Sequence, residues 1–240
     1  RQRQMCIRDS TSAIESALEK GDVKGVVLDV RNNPGGVMNA SVEMASNFLD
    51  GGLIVYTKGR HPDSMKTYNA EPGELLPGVP VVVLVNGGSA SASEIIAGAL
   101  QDRGRAVIMG TQSFGKGSVQ TVLPVSKTKA LKLTTSLYYT PNGRSIQAEG
   151  IVPDVVVERA QLTSLEQGNR LREADLNRSI ENTGSTVETE SEAIATLRED
   201  DNQIYEAFTL LKGINVYQSL GATPLSDIDA DSEDSSLGEY

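Results

Sequence analysis

The stretch VPVVVLVNGGSASASEIIAGAL, residues 79–100, decides the fold class because it holds a strand, a turn and a helix in succession. Its first part, residues 79–86, is a near-continuous run of β-branched and apolar residues. Such a run is typical of a strand buried on both faces of a parallel sheet. Two glycines supply the turn, and the rest has the apolar spacing of a helix. A buried strand that feeds directly into a helix predicts an α/β protein.

The same alternation extends on both sides of this stretch. Apolar runs predict further strands at 25–30, 53–57 and 106–110, and helical spacing predicts helices over 11–20 and 37–49. Beyond residue 118 the pattern turns β-rich, up to the sequence IVPDVVVE that closes the predicted core.

Composition predicts four parts in the chain. Residues 1–10 contain MCIRDS, which back-translates naturally to an adapter used in sequencing libraries, so we predict a non-native leader there. Residues 11–159 form the predicted α/β core domain, and residues 160–218 show a charged, helical pattern. Residues 219–240 hold six acidic and no basic residues, which predicts a disordered acidic tail.

Charge and residue counts exclude several classes of function. The net charge of −10 argues against nucleic acid or an anionic membrane as the main partner. With one Cys and one His in 240 residues, the chain lacks an internal disulfide and a Cys-based metal site, and we expect no cofactor. His61 lies in the polar loop GRHPDS, where we expect a surface residue rather than a catalytic base. No apolar run is long enough to span a membrane.

The serines of SASASEII raise the first chemical question. The segment follows a buried strand and opens a helix, the setting that presents a nucleophile. Backbone N–H groups at such a helix start stabilise an oxyanion. The plainer interpretation is also open, because Ser91 and Glu94 fit a capping box. The residues alone do not choose among Ser89, Ser91 and Ser93.

The segment GTQSFGKGS, residues 110–118, offers two interpretations of Lys116. It is one residue away from a phosphate-binding loop, but Gly117 stands where the Ser or Thr that holds Mg²⁺ should be, and a β-like segment follows instead of a helix. Alternatively, Lys116 is a base for a serine. A lysine serves in that role when burial disfavours its ammonium form, so we expect dry surroundings for this amine.

The segment RNNPGG, residues 31–36, supplies a third loop. It follows a predicted strand, as do the loops that carry Ser91 and Lys116. Ligands of α/β sheets bind at the carboxyl ends of the strands, so we expect these three loops to meet. Gly35 and Gly36 could direct N–H groups into the cleft, although a plain tight turn fits the residues equally well.

Taken together, VLDVRNNPGG, NGGSASASEIIAGAL and GTQSFGKGSVQ resemble the core motifs of the carboxyl-terminal processing peptidases, also called tail-specific proteases. The resemblance covers residues 22–158 or so. It implies the α/β spiral fold of the Clp protease and crotonase families, with a C-terminal helical extension. Members usually carry a PDZ domain before the core, and we find none in this sequence.

The resemblance also implies roles for individual residues. Ser91 matches the nucleophile and Lys116 the general base, and Gln120 matches the residue that orients the lysine. The backbone N–H groups of Ala92 and Gly36 match the oxyanion donors. No metal or nucleotide is implied.

The function implied is a serine endopeptidase that cleaves proteins near their C-termini in the bacterial cell envelope, in the periplasm. Its partners would be protein or peptide substrates and an adaptor protein. Self-association through the C-terminal helices is a further expectation, and simple intramolecular packing of their apolar stripe is equally open. The alternatives are a catalytically silent scaffold, a nucleotide hydrolase that uses the GTQSFGKG loop, and a crotonase-like acyl-CoA enzyme.

Overall fold

The computed structural model describes residues 2–126, 128–161 and 192–220. Its strands are β1 (Val26–Asp29), β2 (Gly52–Gly59), β3 (Lys66–Ala70), β4 (Val81–Val85), β5 (Val107–Gly110), β6 (Ser118–Pro124), β7 (Ala130–Tyr139) and β8 (Val155–Val156). Its α-helices are α1 (Gln2–Lys20), α2 (Met38–Ser46), α3 (Ala92–Asp102), α4 (Glu192–Asp200) and α5 (Asn202–Ser219). A short 3₁₀ turn covers Pro62–Ser64 and is capped by His61.

Four strands form a parallel sheet in the order β1-β4-β5-β8. The central strand β4 is buried along its whole length. Val81, Val83 and Val85 join the apolar cluster that includes residues of α2 and α3, whereas Val82 and Leu84 join a cluster with α5. Because successive strand residues point to opposite faces, helices cover both faces of the sheet. The predicted α/β class is therefore confirmed.

The second sheet is antiparallel, in the order β3-β2-β7-β6. The rings of Tyr56 and Tyr139 stack across its central pair with centroids 5.2 Å apart. The β-rich region after residue 118 is thus a long hairpin, β6–β7, that extends from this sheet. Strand β3, which falls in the polar stretch after β2, forms one edge of this sheet.

The C-terminal helix packs within the molecule. Ala207 and Leu211 of α5 are buried against the β4 and β5 side chains of the parallel sheet. For these two residues the apolar stripe serves intramolecular packing. Helix α1 is longer than the predicted helix over 11–20, and the boundary predicted at residue 10 falls inside it. Helix α5 includes Ser219, the first residue of the predicted acidic tail. Residues 221–240 of that tail and residues 162–191 lie outside the described residues.

Candidate active site

Three loops leave the carboxyl ends of the neighbouring strands β1, β4 and β5 and meet at one edge of the parallel sheet. Asn86 joins the first two: its side chain accepts from the Asn32 N–H at 2.9 Å and donates to the Asn32 side chain at 3.1 Å. The Phe114 N–H donates to the Ser89 carbonyl at 3.0 Å and joins the second loop to the third. The expected convergence of the loops is confirmed.

The three serines of the second loop differ in their surroundings. Ser89 is fully buried and its hydroxyl donates to the Val30 carbonyl at 2.8 Å. Ser93 is 2% exposed and its hydroxyl donates to the Asn33 carbonyl at 3.0 Å. Ser91 is partly exposed, and within the described chain its hydroxyl donates to no group. The geometry thus leaves Ser91 as the serine with a proton to give.

The backbone of Ser91 is strained. Its φ of 56° and ψ of −110° lie in a region that residues other than glycine rarely adopt. The conformation occurs where β4 turns sharply into α3, so the serine stands at the exposed point of a strand–turn–helix elbow. Strain of this kind is common at sites where a side chain must be presented at a fixed angle.

Two backbone N–H groups beside Ser91 lack acceptors in the described chain, those of Gly36 and Ala92. The neighbouring Gly35 N–H is already used, since it donates to the Asn33 side chain at 3.0 Å. Gly35 has a φ of +88°, and a Cβ added there would lie 2.7 Å from the Ala92 nitrogen. Glycine therefore lets the first loop lie directly against the serine turn, with two donors free to bind an oxyanion.

A cleft of about 420 Å³ opens next to these donors. Gly36 and Ala92 line it, and its walls are mainly apolar, formed by Leu28, Val30, Val37, Ala40, Met44 and Ile96. An apolar side chain of a bound peptide fits such walls.

Glu94 is the residue that the sequence interpretation underestimated. It is fully buried, and its carboxylate accepts the Ser91 N–H at 2.7 Å, the Lys116 N–H at 2.9 Å, and the Gly115 N–H and Ser113 hydroxyl at 2.6 Å each. The capping-box pattern predicted the first of these bonds. The other three join the serine turn to the loop of Lys116, and no local pattern indicates them.

The same bonds argue against a phosphate-binding loop. The N–H groups of Gly115 and Lys116, which would hold a phosphate, already bind a carboxylate, and strand β6 follows in place of a helix. The nucleotide hydrolase alternative lacks both of its structural requirements.

Lys116 is exposed, contrary to the dry surroundings that we expected. Burial alternates along this extended loop: Ser113, Gly115 and Gly117 are buried, whereas Phe114 and Lys116 are exposed. The glycines pack against the backbone of residues 146–150, where a Cβ at position 117 would lie 2.3 Å from the Gln147 nitrogen. This packing turns the Lys116 side chain outward.

Gln120 is also exposed, and within the described chain its side chain makes no hydrogen bond to Lys116. Residues four positions apart on one regular strand would share a face. However, β6 begins at Ser118, after the lysine, and the pairing with β7 shifts register between Val119 and Gln120. Regular strand periodicity therefore does not run through positions 116 and 120.

Arg31 links the first loop to the C-terminal helix. Its guanidinium, with a side chain 10% exposed, binds Asp29 at 2.7 Å and Asp201 at 2.6 Å. Asp201 is the N-cap of α5, and hydrogen bonds from Arg31 hold the pKa of its carboxyl below the usual range. Hydrogen bonds to Asp29 and then Asp201 raise the pKa of the Arg31 guanidinium.

Metal and membrane features are limited in the described residues. Within them, no group of three or more His, Cys, Asp or Glu could hold a metal ion. None of the helices described is both long and apolar enough to cross a bilayer.

The parallel sheet, with helices on both faces and a strained serine at the turn from β4 into α3, defines the chain as an α/β protein. A profile of Peptidase family S41 matches residues 6–157, and the chain belongs to this family. The resemblance to carboxyl-terminal processing peptidases is thereby confirmed.

Individual relatives agree with this membership. The chain is 47% identical over 204 residues to a carboxy-terminal-processing protease of Bartonella bacilliformis, covering 83% of this chain and 47% of the relative. It is 42% identical over 149 residues to a carboxyl-terminal-processing protease of Synechocystis, covering 62% of this chain and 34% of the relative. A solved photosystem II D1 C-terminal processing protease superposes with a TM-score of 0.58 at 38% identity, covering 63% of this chain and 38% of that one. The chain thus spans less than half the length of these relatives.

Proposed function

We propose that this chain carries the catalytic core of a serine endopeptidase that uses a Ser–Lys dyad and cleaves proteins near their C-termini. Ser91 is the nucleophile and Lys116 the general base, with Gln120 orienting the amine. The N–H groups of Gly36 and Ala92 bind the oxyanion. The observation that carries the proposal is the shared bond to Glu94, because one carboxylate oxygen holds the backbones of both Ser91 and Lys116.

In the proposed reaction the Ser91 Oγ attacks the peptide carbonyl carbon while Lys116 Nζ takes the hydroxyl proton. The carbonyl oxygen becomes an oxyanion between the Gly36 and Ala92 N–H groups. As the C–N bond breaks, the proton passes from Lys116 to the leaving amine, and Ser91 is left as an ester. Water then attacks the ester while Lys116 accepts its proton. As the bond between the acyl carbon and Ser91 Oγ breaks, Lys116 returns that proton to Oγ, and the product leaves as a carboxylic acid.

The exposure of Lys116 is compatible with this scheme when a bound substrate shields the amine from water. A peptide that lies from the apolar cleft across Ser91 would exclude water from the loop of Lys116, and exclusion of water disfavours the ammonium form. The backbone of the Lys116 loop does not have to move towards Ser91, because the Lys116 N–H is already hydrogen-bonded to Glu94.

The class of substrate is inferred from the relatives, whose names state carboxyl-terminal processing. The apolar walls of the cleft support a preference for an apolar side chain in the substrate. Location in the cell envelope, an adaptor and self-association stay predictions.

The proposal is tested with the gene product that carries this chain, incubated with a protein substrate that ends in an apolar C-terminal tail. Intact-mass spectrometry should show loss of a C-terminal fragment. Ser91→Ala and Lys116→Ala should abolish the cleavage, whereas Lys58→Ala, a change at another exposed lysine, should not. If the Ser91→Ala variant cleaves the substrate as well as the unchanged protein does, the result would favour the catalytically silent scaffold instead.

A further inference from the structure

The outer part of the β6–β7 hairpin, residues 122–135, extends beyond the pairing of β7 with β2. Every described residue from 122 to 135 is exposed, on both strands and in the turn. A two-stranded ribbon without a packed face is only marginally stable in water, so the exposed surface calls for a partner.

The exposed surface of the hairpin is aliphatic. Val122, Leu123, Val125, Leu131 and Leu133 are between 43% and 70% exposed. Leu123 pairs directly with Leu131 on one face, and Val122 pairs with Lys132 on the other. Val125 lies at the tip and is the most exposed of the five. Leu123, Leu131 and Leu133 thus share one face of the ribbon, and Val125 extends that aliphatic surface to its end.

The hairpin also lies in the basic part of an acidic chain. Residues 103–148 contain seven basic residues and no acidic one, although the net charge of the whole chain is −10. Lys129 and Lys132 are exposed beside the aliphatic side chains. Because charges are screened over about 10 Å at ordinary salt, this local charge governs what approaches the hairpin.

We propose that the hairpin docks on an anionic lipid bilayer. The tip residues Leu123, Val125 and Leu131 enter the headgroup region, and the lysines contact lipid phosphates. An anionic bilayer supplies both an apolar layer for the leucine face and the tip, and phosphates for the lysines beside them. Nucleic acid is a poorer match, since residues 119–135 contain no aromatic side chain for stacking on bases.

This docking is a function separate from the proposed peptidase activity, and it would determine where that activity takes place. Strand β6 begins two residues after Lys116, so the candidate active site lies at the base of the hairpin. A protein held by the hairpin tip would keep that site close to the bilayer surface, within reach of chain ends that emerge from it.

A tryptophan reporter tests the proposal directly. The chain has no Trp, so Val125→Trp gives a single signal from the tip. Its emission should shift to the blue with vesicles of equal parts phosphatidylcholine and phosphatidylglycerol, and not with phosphatidylcholine alone. The shift should be present at about 0.01 M salt and lost at about 1 M. Leu18→Trp, at an exposed site on α1, should show no shift.

Vesicle flotation with charge variants supplies the matched control. Lys129→Glu with Lys132→Glu should weaken binding at least about 30-fold, since each lysine near such a surface contributes a factor of about five. Lys20→Glu with Lys24→Glu makes the same change in net charge elsewhere and should leave binding intact. Circular dichroism checks that the variants fold.

Four results would overturn the proposal. The first is equal flotation of the two charge variants, and the second is no flotation of the parent protein. The third is a blue shift of the Val125→Trp variant without vesicles that disappears when residues 221–240 are removed, which would assign the surface to the acidic tail. The fourth is a shift without vesicles that grows with protein concentration, which would assign the surface to a second copy. Ser91→Ala should float normally, so failure of the peptidase proposal leaves this test intact.

Discussion

At the scale of single residues, Glu94 does more to define the site than Ser91 or Lys116. A buried carboxylate is costly unless hydrogen bonds surround it, and Glu94 has four donors. These four hydrogen bonds fix the position of the Ser91 turn relative to the loop that carries Lys116. The backbones of the two residues of the proposed dyad are therefore held by hydrogen bonds to this one carboxylate.

Replacing Glu94 with Gln should destabilise the protein by about 1–3 kcal/mol. The amide nitrogen would face two N–H or O–H donors in place of a carboxylate oxygen, and those donors would lose their acceptor. Urea unfolding measures the change. Glu149→Gln, at an exposed glutamate, is the control and should have no effect. Equal midpoints for the two variants would show that Glu94 does not hold the loops together.

The strained backbone of Ser91 gives a second prediction. Ser91→Gly should fold more stably than Ser91→Ala by about 1 kcal/mol, because glycine adopts a φ of 56° without a Cβ penalty. Both variants lack the hydroxyl, so their difference isolates the backbone. Thermal unfolding of the two proteins provides the comparison, and a more stable alanine variant would mean that the turn is unstrained.

The residue scale also shows where the sequence was informative. The SASASE pattern predicted the helix start and one bond of Glu94, because capping is local. The bonds of Glu94 to Gly115 and Lys116 span 21 and 22 positions, and nothing in the local sequence indicates them. The outward direction of Lys116 follows from packing of Gly115 and Gly117 on another segment, which sequence spacing does not reveal.

At the scale of elements, two glycines should respond in opposite ways to alanine. Gly117 lies against backbone, where a Cβ would meet the Gln147 nitrogen at 2.3 Å. Gly213 lies within α5 and has nothing within 4 Å of an added Cβ. Gly117→Ala should therefore destabilise the fold by at least about 2 kcal/mol, whereas Gly213→Ala should stabilise it by about 0.5–1 kcal/mol. Denaturant unfolding measures the stability of both variants. A change of the same sign in both would indicate a general effect of alanine and contradict the prediction.

The contact between Arg31 and Asp201 joins α5 to the first active-site loop. The pKa of Asp201 is lowered in the folded protein, mainly by hydrogen bonding to Arg31. Its stabilising contribution is therefore present above the ordinary value of 3.8 and is lost as the pH falls through the lower folded pKa. Asp201→Asn keeps a capping side chain but removes the charge.

We expect Asp201→Asn to lower the free energy of unfolding by about 1–2 kcal/mol at neutral pH. The difference from the parent protein should shrink as the solution is acidified below about pH 4. Asp200→Asn, at the exposed neighbouring position, should match the parent throughout. Urea titrations across this pH range make the comparison, and a difference that grows on acidification would contradict the assigned role.

At the scale of the whole molecule, the strand–helix alternation predicted the parallel sheet and the edge where three loops meet. Those features depend on hydrophobic periodicity, which the sequence displays openly. The joining of α5 to the first loop did not follow, because Arg31 and Asp201 are 170 positions apart and neither is unusual in its local sequence. The motifs of the site are therefore visible in short stretches of sequence, whereas the contacts that hold these stretches together join residues far apart in the chain.

The central claim is that Ser91, activated by Lys116, is the reacting group of this molecule. A fluorophosphonate probe, applied to the gene product and followed by peptide mass spectrometry, tests it most directly. The account predicts an adduct on Ser91 that is lost in Ser91→Ala and forms far more slowly in Lys116→Ala. An adduct on Ser89 or Ser93, or labelling of Ser91 at an unchanged rate in Lys116→Ala, would contradict it.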